Sequence, residues 1–239
     1  LRVERAERVV LATPHDCVNL EVASRVGERT DEGEPSVVTH VSDLGMLREL
    51  ARSELLGRVR PFNGHRLAAR QLVETKLRSH FEETGRDDQV LLAGFSKFGQ
   101  TVLEQLQKRA SSLIRSVVLV DRNVEVQAAL FDDQIGFDSS YELVQLTGDL
   151  DDPRTWRRID EALEPEAALP VYVLGTPDED LNLRTAMLQW ERHPEALFVV
   201  RSYYHPSLAR RMEEHGDFEL HNVADLLSTG LDEIGRASC

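Results

Sequence analysis

Residues 89–121 read QVLLAGFSKFGQTVLEQLQKRASSLIRSVVLVD, and no other stretch narrows the possible folds as much. Val90, Leu91, Leu92 and Ala93 form an unbroken apolar run, the pattern of a parallel strand covered on both faces. Gly94 and Gly99 bracket a turn, after which Val102, Leu103, Leu106 and Ala110 recur at helical spacing and give a helix one apolar face. Residues 117–120 make a second apolar strand, and Asp121 follows it directly, twenty-two residues beyond Gly99. This is the sequence form of a mononucleotide-binding β-α-β unit. Glycine lets backbone approach a pyrophosphate, helix N–H groups point at it, and a carboxylate ending the second strand accepts from a ribose hydroxyl. The turn reads Gly94-Phe95-Ser96-Lys97-Phe98-Gly99, so Ser96 replaces the middle glycine of G-x-G-x-x-G. Its Cβ and hydroxyl either crowd a diphosphate or donate to it.

A repeat extends this unit. Residues 8–12 form a short apolar strand leading into TPHDCVNLEVA, and residues 172–175 lead into TPDEDLNLRTA. At a constant offset of 163 both read T-P-x-[DE]-x-[VL]-N-L-x-x-A. Downstream, Val37, Val38 and Thr39 align with Val199, Val200 and Arg201, and Leu47 and Leu50 with Leu208 and Met212. Short third strands follow at 58–62 and 218–221, ended by Asn63 and Asn222. Each copy therefore predicts the second half of a doubly wound domain, and only the second copy has a first half before it. The expected organisation is the second half of a Rossmann-like unit plus a connecting helix over 1–85, a complete unit over 86–230, and a tail over 231–239. The first copy starts at what should be its fourth strand, so the chain reads as a fragment of a longer protein, or as one whose orphan strands pair with another chain. The connector, a long helix predicted over 65–83, is assigned by default to its own half-domain.

In the second copy a third strand is expected over 141–146, followed by Thr147-Gly148-Asp149. Asp151 and Asp152 before Pro153 suit a helix start, with Trp156 and Ile159 on its buried face. Ligands of open parallel sheets sit outside the carboxyl ends of the strands. The tips carrying Gly94 to Gly99, Asp121, Gly148 with Asp149, and Thr176 to Asn182 should thus meet at one crevice. Thr176 and Asp178 have a second reading as caps of the helix after them, and Asn182 as a loop tie.

Charge limits the partners. The net charge of −14 is uneven: 13 Lys and Arg face 14 Asp and Glu up to Gly85, and 15 face 28 beyond it. An acidic half repels a phosphate backbone, which argues against nucleic acid. No apolar run reaches the roughly 18–20 residues that span a bilayer, and Cys17 and Cys239 are too few for a disulfide framework or a zinc site. A reducing, cytoplasmic setting is expected.

These motifs together, G-F-S-K-F-G with its helix, V-V-L-V-D, T-G-D and the paired T-P-x-[DE]-x-[VL]-N-L segments, resemble the regulator-of-conductance (RCK, TrkA-N or KTN) nucleotide-binding domains of potassium channels and transporters. The resemblance covers Asp88 to about Leu227 as one unit and Arg8 to about Phe62 as half of another, similar to gating rings with two such domains per subunit. It implies a sensor that binds NAD(H) or an adenine nucleotide, ATP or ADP. By position, Gly94, Phe95, Ser96, Lys97, Phe98 and Gly99 would face the phosphates. Asp121, with Arg122 beside it, would take the ribose, Gly148 and Asp149 the adenine side, and Thr176, Asp178 and Asn182 the far end. It further implies a cytoplasmic homo-oligomeric module, with no catalytic or metal residues, attached to a membrane channel or transporter. The rivals are an NAD(P)-dependent oxidoreductase and a scaffold without a ligand. Against the first, none of Tyr141, Tyr172, Tyr203 or Tyr204 is followed four residues on by lysine, and too little chain follows residue 221 for a substrate domain.

Overall fold

The computed structural model describes residues 3, 6–29, 36–53, 55–85, 88–163, 170–202, 211 and 218–222, of the last five the backbone alone. The chain divides into two units, the first running up to Leu67 and the second spanning Ala68–Leu226.

The first unit is a three-stranded parallel sheet, β1 (Arg8–Leu11), β2 (Ser36–His40) and β3 (Arg60–Phe62), in that spatial order. Helix α1 (Asp16–Gly27) connects β1 to β2, and α2 (Leu44–Arg52) connects β2 to β3. Asp43 caps α2 by accepting from Met46 N–H at 2.7 Å. Ala23, Val37 and Val59 form the centre of its core.

The connector enters as α3 (Gly64–Leu72), widens into a π-helical turn at Val73–Leu77, and ends as α4 (Arg78–Thr84). Arg78 N–H reaches back five residues to the carbonyl of Val73. Contrary to the sequence expectation, most of this helix belongs to the second unit. Ala69, Leu72, Val73, Leu77 and Phe81 are buried in one core with Val90, Leu92, Val102 and Leu106. The turn holds one residue more than a regular helical turn, and Val73 and Leu77 at its two ends and Phe81 beyond it all face that core.

The second unit is the doubly wound parallel sheet that the sequence predicts. Its strands are β4 (Asp88–Ala93), β5 (Ile114–Asp121), β6 (Glu142–Thr147), β7 (Val171–Leu174), β8 (Leu197–Ser202) and β9 (Phe218–Asn222), in the order β6-β5-β4-β7-β8-β9. The chain starts in the middle, winds outward through β6, then returns to wind the other way. This reversal opens a crevice between β4 and β7 at their carboxyl ends. Pleating splits the apolar runs between two cores. Val90, Leu92, Val117 and Leu119 point toward the connector, α5 (Lys97–Arg109) and α6 (Val124–Gln134). Leu91, Ala93, Val118 and Val120 point toward α7 (Pro153–Ala162) and α8 (Glu179–Arg192).

Helix α5 buries nine consecutive residues, 98–106, polar ones included. Its far end is tied to the π turn by Arg109 and Glu74, 2.7 Å apart.

The repeat holds at the level of single atoms, with one shift of register. Leu11 pairs with Thr39 and Leu174 with Val200, so Thr39 corresponds to Val200 and His40 to Arg201. The alignment expected from sequence is one residue out in this strand, because its apolar residues are consecutive and a slip of one leaves the pattern unchanged. The expected match of Leu208 and Met212 to the first copy's second helix, and the 231–239 tail, lie outside the described residues.

Candidate functional site

Gly94 makes the crevice possible. Its φ is +92°, in the left-handed region, and a Cβ there would lie 2.7 Å from Thr176 N. The β4 and β7 tips are thereby brought into direct backbone contact. A Cβ on Gly99 would collide with the Gly94 carbonyl, so α5 can start hard against the turn. Ser96 occupies the N-cap position, half-buried, and its hydroxyl makes no capping hydrogen bond.

Asp121 closes the next side. One carboxylate oxygen accepts from Phe95 N–H at 3.0 Å and the other from Asn123 N–H at 2.9 Å. The end of β5 is thus clamped to the glycine turn, while an ionised carboxylate keeps lone pairs for further donors. Beyond it, Arg122 Nη2 meets Asp149 Oδ2 at 2.8 Å, and Asp149 Oδ1 accepts from Asp151 N–H at 3.1 Å. The Arg122 hydrogen bond, then the backbone donor, hold the Asp149 carboxyl below its ordinary range; the same contact raises Arg122.

The β7 side is built by Asn182. Wholly buried, it accepts from Thr176 N–H at 3.1 Å and the Thr176 hydroxyl at 2.6 Å, and donates to the carbonyls of Thr176 at 3.0 Å and Arg201 at 3.3 Å. Asp178 caps α8 through Leu181 N–H at 2.9 Å. Asn19 repeats the pattern in the first unit, with the Thr13 N–H and hydroxyl at 2.9 and 2.6 Å and the carbonyls of Thr13 and His40 at 2.8 and 3.1 Å. The T-P-x-[DE]-x-[VL]-N signature therefore encodes a strand-to-helix lock.

These tips enclose an open cleft of about 420 Å³, within the range of small-ligand sites. Of the residues expected from sequence, Gly94, Ser96, Asp121, Arg122, Gly148, Asp149, Thr176 and Asp178 line it. Phe95, Lys97, Phe98, Gly99 and Asn182 do not. Phe95 and Phe98 are fully buried core side chains, Gly99 packs on backbone, Asn182 is consumed by its lock, and Lys97 is an exposed first residue of α5. Pro177 and Leu181, within the expected 176–182 tip, also line it, and sequence reasoning missed Val120, Asn123, Leu150 and Asp151 on the cleft wall. It also missed Arg201, read only as a strand residue. Buried, with its guanidinium 5.3 Å over the Phe98 ring, Arg201 donates to the Gly175 carbonyl at 3.2 Å and braces β7 against α5. Its only sequence signal is a lone cation ending an apolar strand. Among the described residues no three His, Cys, Asp or Glu side chains group as metal ligands, and no helix is long and apolar enough to cross a membrane.

No protein-family model and no curated protein matches the chain. Solved structures do match. GsuK bound to ADP superposes with a TM-score of 0.64 at 17% identity, over 99% of this chain and 53% of that one. The GsuK channel gives 0.64 at 18% identity over 99% and 53%, and the GsuK RCK domain 0.60 at 13% over 99% and 63%. The fold is that of the GsuK RCK domain. At these identities the likeness is one of architecture, and the chain spans about half the length of the GsuK channel chain. The cleft just described lies at the switch point of this RCK-type sheet.

Proposed function

We propose that the chain is a nucleotide-sensing RCK module that binds an adenine nucleotide, ADP or ATP, in the cleft, and that in a longer protein it regulates a potassium or other cation channel or transporter. The observation that carries this reading is the opening of the α5 N-terminus and the Asp121 carboxylate onto the same cleft. A helix N-terminus attracts phosphate, and a strand-end carboxylate accepts from ribose hydroxyls. The base would lie toward Asp149 and Leu150, and the phosphates between Ser96 and Thr176. NAD(H) is the alternative ligand. The adenine nucleotide is preferred because GsuK, of the same fold, has been solved bound to ADP.

A ligand can shift a two-state module only by its differential affinity for the two arrangements, so binding is necessary for regulation but does not by itself produce it. Calorimetric titration of the full chain with ADP, ATP and NADH tests this. ADP should bind in the micromolar range, and Asp121→Asn, which retains shape but loses charge, should weaken it by about tenfold. Silence toward all three ligands at millimolar concentration refutes the nucleotide reading. Currents of the full-length protein that ignore bound ADP refute the regulatory one.

A further inference from the structure

A second hollow, of about 260 Å³, runs between α7 and α8. Its floor is apolar: Leu150 and Trp156 are each 8% exposed, and Trp156 is fixed by donating its indole N–H to the Leu150 carbonyl at 2.8 Å. Leu188 beside it is 56% exposed. The walls are cationic, with Arg157, Arg184 and Arg192 facing Asp151 and Asp160. Arg184 pairs with Asp151, and Arg192 with Asp160 at 2.6 Å. The Arg157 side chain has no ion pair among the described residues. A chain of net charge −14 thus concentrates three guanidinium groups against two carboxylates over an aromatic floor. The planar guanidinium fork matches carboxylate and phosphate oxygens, and the floor fits a flat apolar body.

We propose that this groove is a second ligand site, for a small organic anion that carries one carboxylate or phosphate monoester on a flat apolar body. Arg157 takes the anionic group, and Arg192 joins it as the group displaces Asp160. The apolar body covers Trp156 and Leu188. The groove shares Leu150 and Asp151 with the nucleotide cleft, but Arg157, Asp160 and Arg192 line the groove alone. The inference therefore stands independently of the nucleotide reading.

The test is a fluorescence titration of the full chain with 1-anilinonaphthalene-8-sulfonate, whose sulfonate stands in for the carboxylate or phosphate, with uncharged N-phenyl-1-naphthylamine as control and saturating ADP in a parallel series. Saturable binding that persists in ADP is expected. Arg157→Gln should weaken it about tenfold. Asp160→Asn, which removes the competing carboxylate, should strengthen it severalfold. Because partial unfolding also raises binding of this probe, the gain counts only with the circular dichroism and melting temperature of Asp160→Asn unchanged and with no matching gain for the uncharged analogue. The proposal is overturned if neither substitution moves the affinity, if ADP displaces all of the probe, or if the uncharged analogue binds as tightly. The last result would make the groove an apolar docking face.

Discussion

Replacing Asn182 by alanine removes four hydrogen bonds at one buried point, two accepted by Oδ1 from Thr176 and two donated by Nδ2 to the Thr176 and Arg201 carbonyls. A net contribution of about 1 kcal/mol each sets an upper value of roughly 4 kcal/mol. Thr176 itself is half-exposed, so water replaces part of the loss, and about 2–4 kcal/mol is expected. At 1.4 kcal/mol per tenfold this lowers hydrogen-exchange protection of residues 171–182 by about 30- to 700-fold. Exchange mass spectrometry is the suitable assay, because a chain of two units does not guarantee a single cooperative transition. The internal control is Asn19→Ala, which breaks the same four bonds around Thr13 and should lower protection over residues 8–19 by a similar factor, each change confined to its own unit. A loss under fivefold at both sites would mean that the asparagines are spectators and that backbone pairing alone holds the loops.

Three further outcomes follow from the geometry. Gly94→Ala forces a Cβ to within 2.7 Å of Thr176 N at a φ of +92° and should cost at least about 2 kcal/mol in denaturant unfolding, with loss of ADP binding. Burial raises the Asp16 carboxyl, but hydrogen bonds from the Ser42 N–H and hydroxyl and the Asp43 N–H outweigh it and leave the pKa below 3.8. Its stabilising effect is therefore complete above 3.8 and lost as pH falls through the folded value; acid unfolding followed by circular dichroism should show a slope that Asp16→Asn removes. Arg201→Met keeps the apolar contact with Phe98 but abandons the Gly175 carbonyl, and should weaken ADP binding while shifting the melting temperature down by a few degrees.

Much of this architecture was legible in the sequence. The unbroken apolar runs at 90–93 and 117–120 read as strands covered on both faces, and the glycine turn and helix between them as their crossover. The repeated T-P-x-[DE]-x-[VL]-N signature marked both strand-to-helix corners. What it could not tell was the direction in which a side chain is spent. Asn182 lies among cleft residues in sequence yet turns inward, and Phe95 and Phe98 flank Ser96 yet fill the core. Local pattern reports which loop a residue occupies, while its use depends on partners such as Arg201 that arrive from far along the chain. The connector misled for a similar reason. Its apolar period was visible, but the residue added at Val73–Leu77 and the unit it packs on are decided by tertiary contacts.

The burial of α5 on every side has a mechanical consequence. A helix enclosed over residues 98–106 resists tilting, so a pull exerted at its N-terminus is directed along its axis. At the opposite end that displacement meets Arg109 and, through it, Glu74 in the wide turn of the connector. That turn already holds one residue more than a regular helical turn, so it can take up slack by changing its winding. An ångström-scale pull would then arrive there as a rotation, some thirteen residues of helix away from its source.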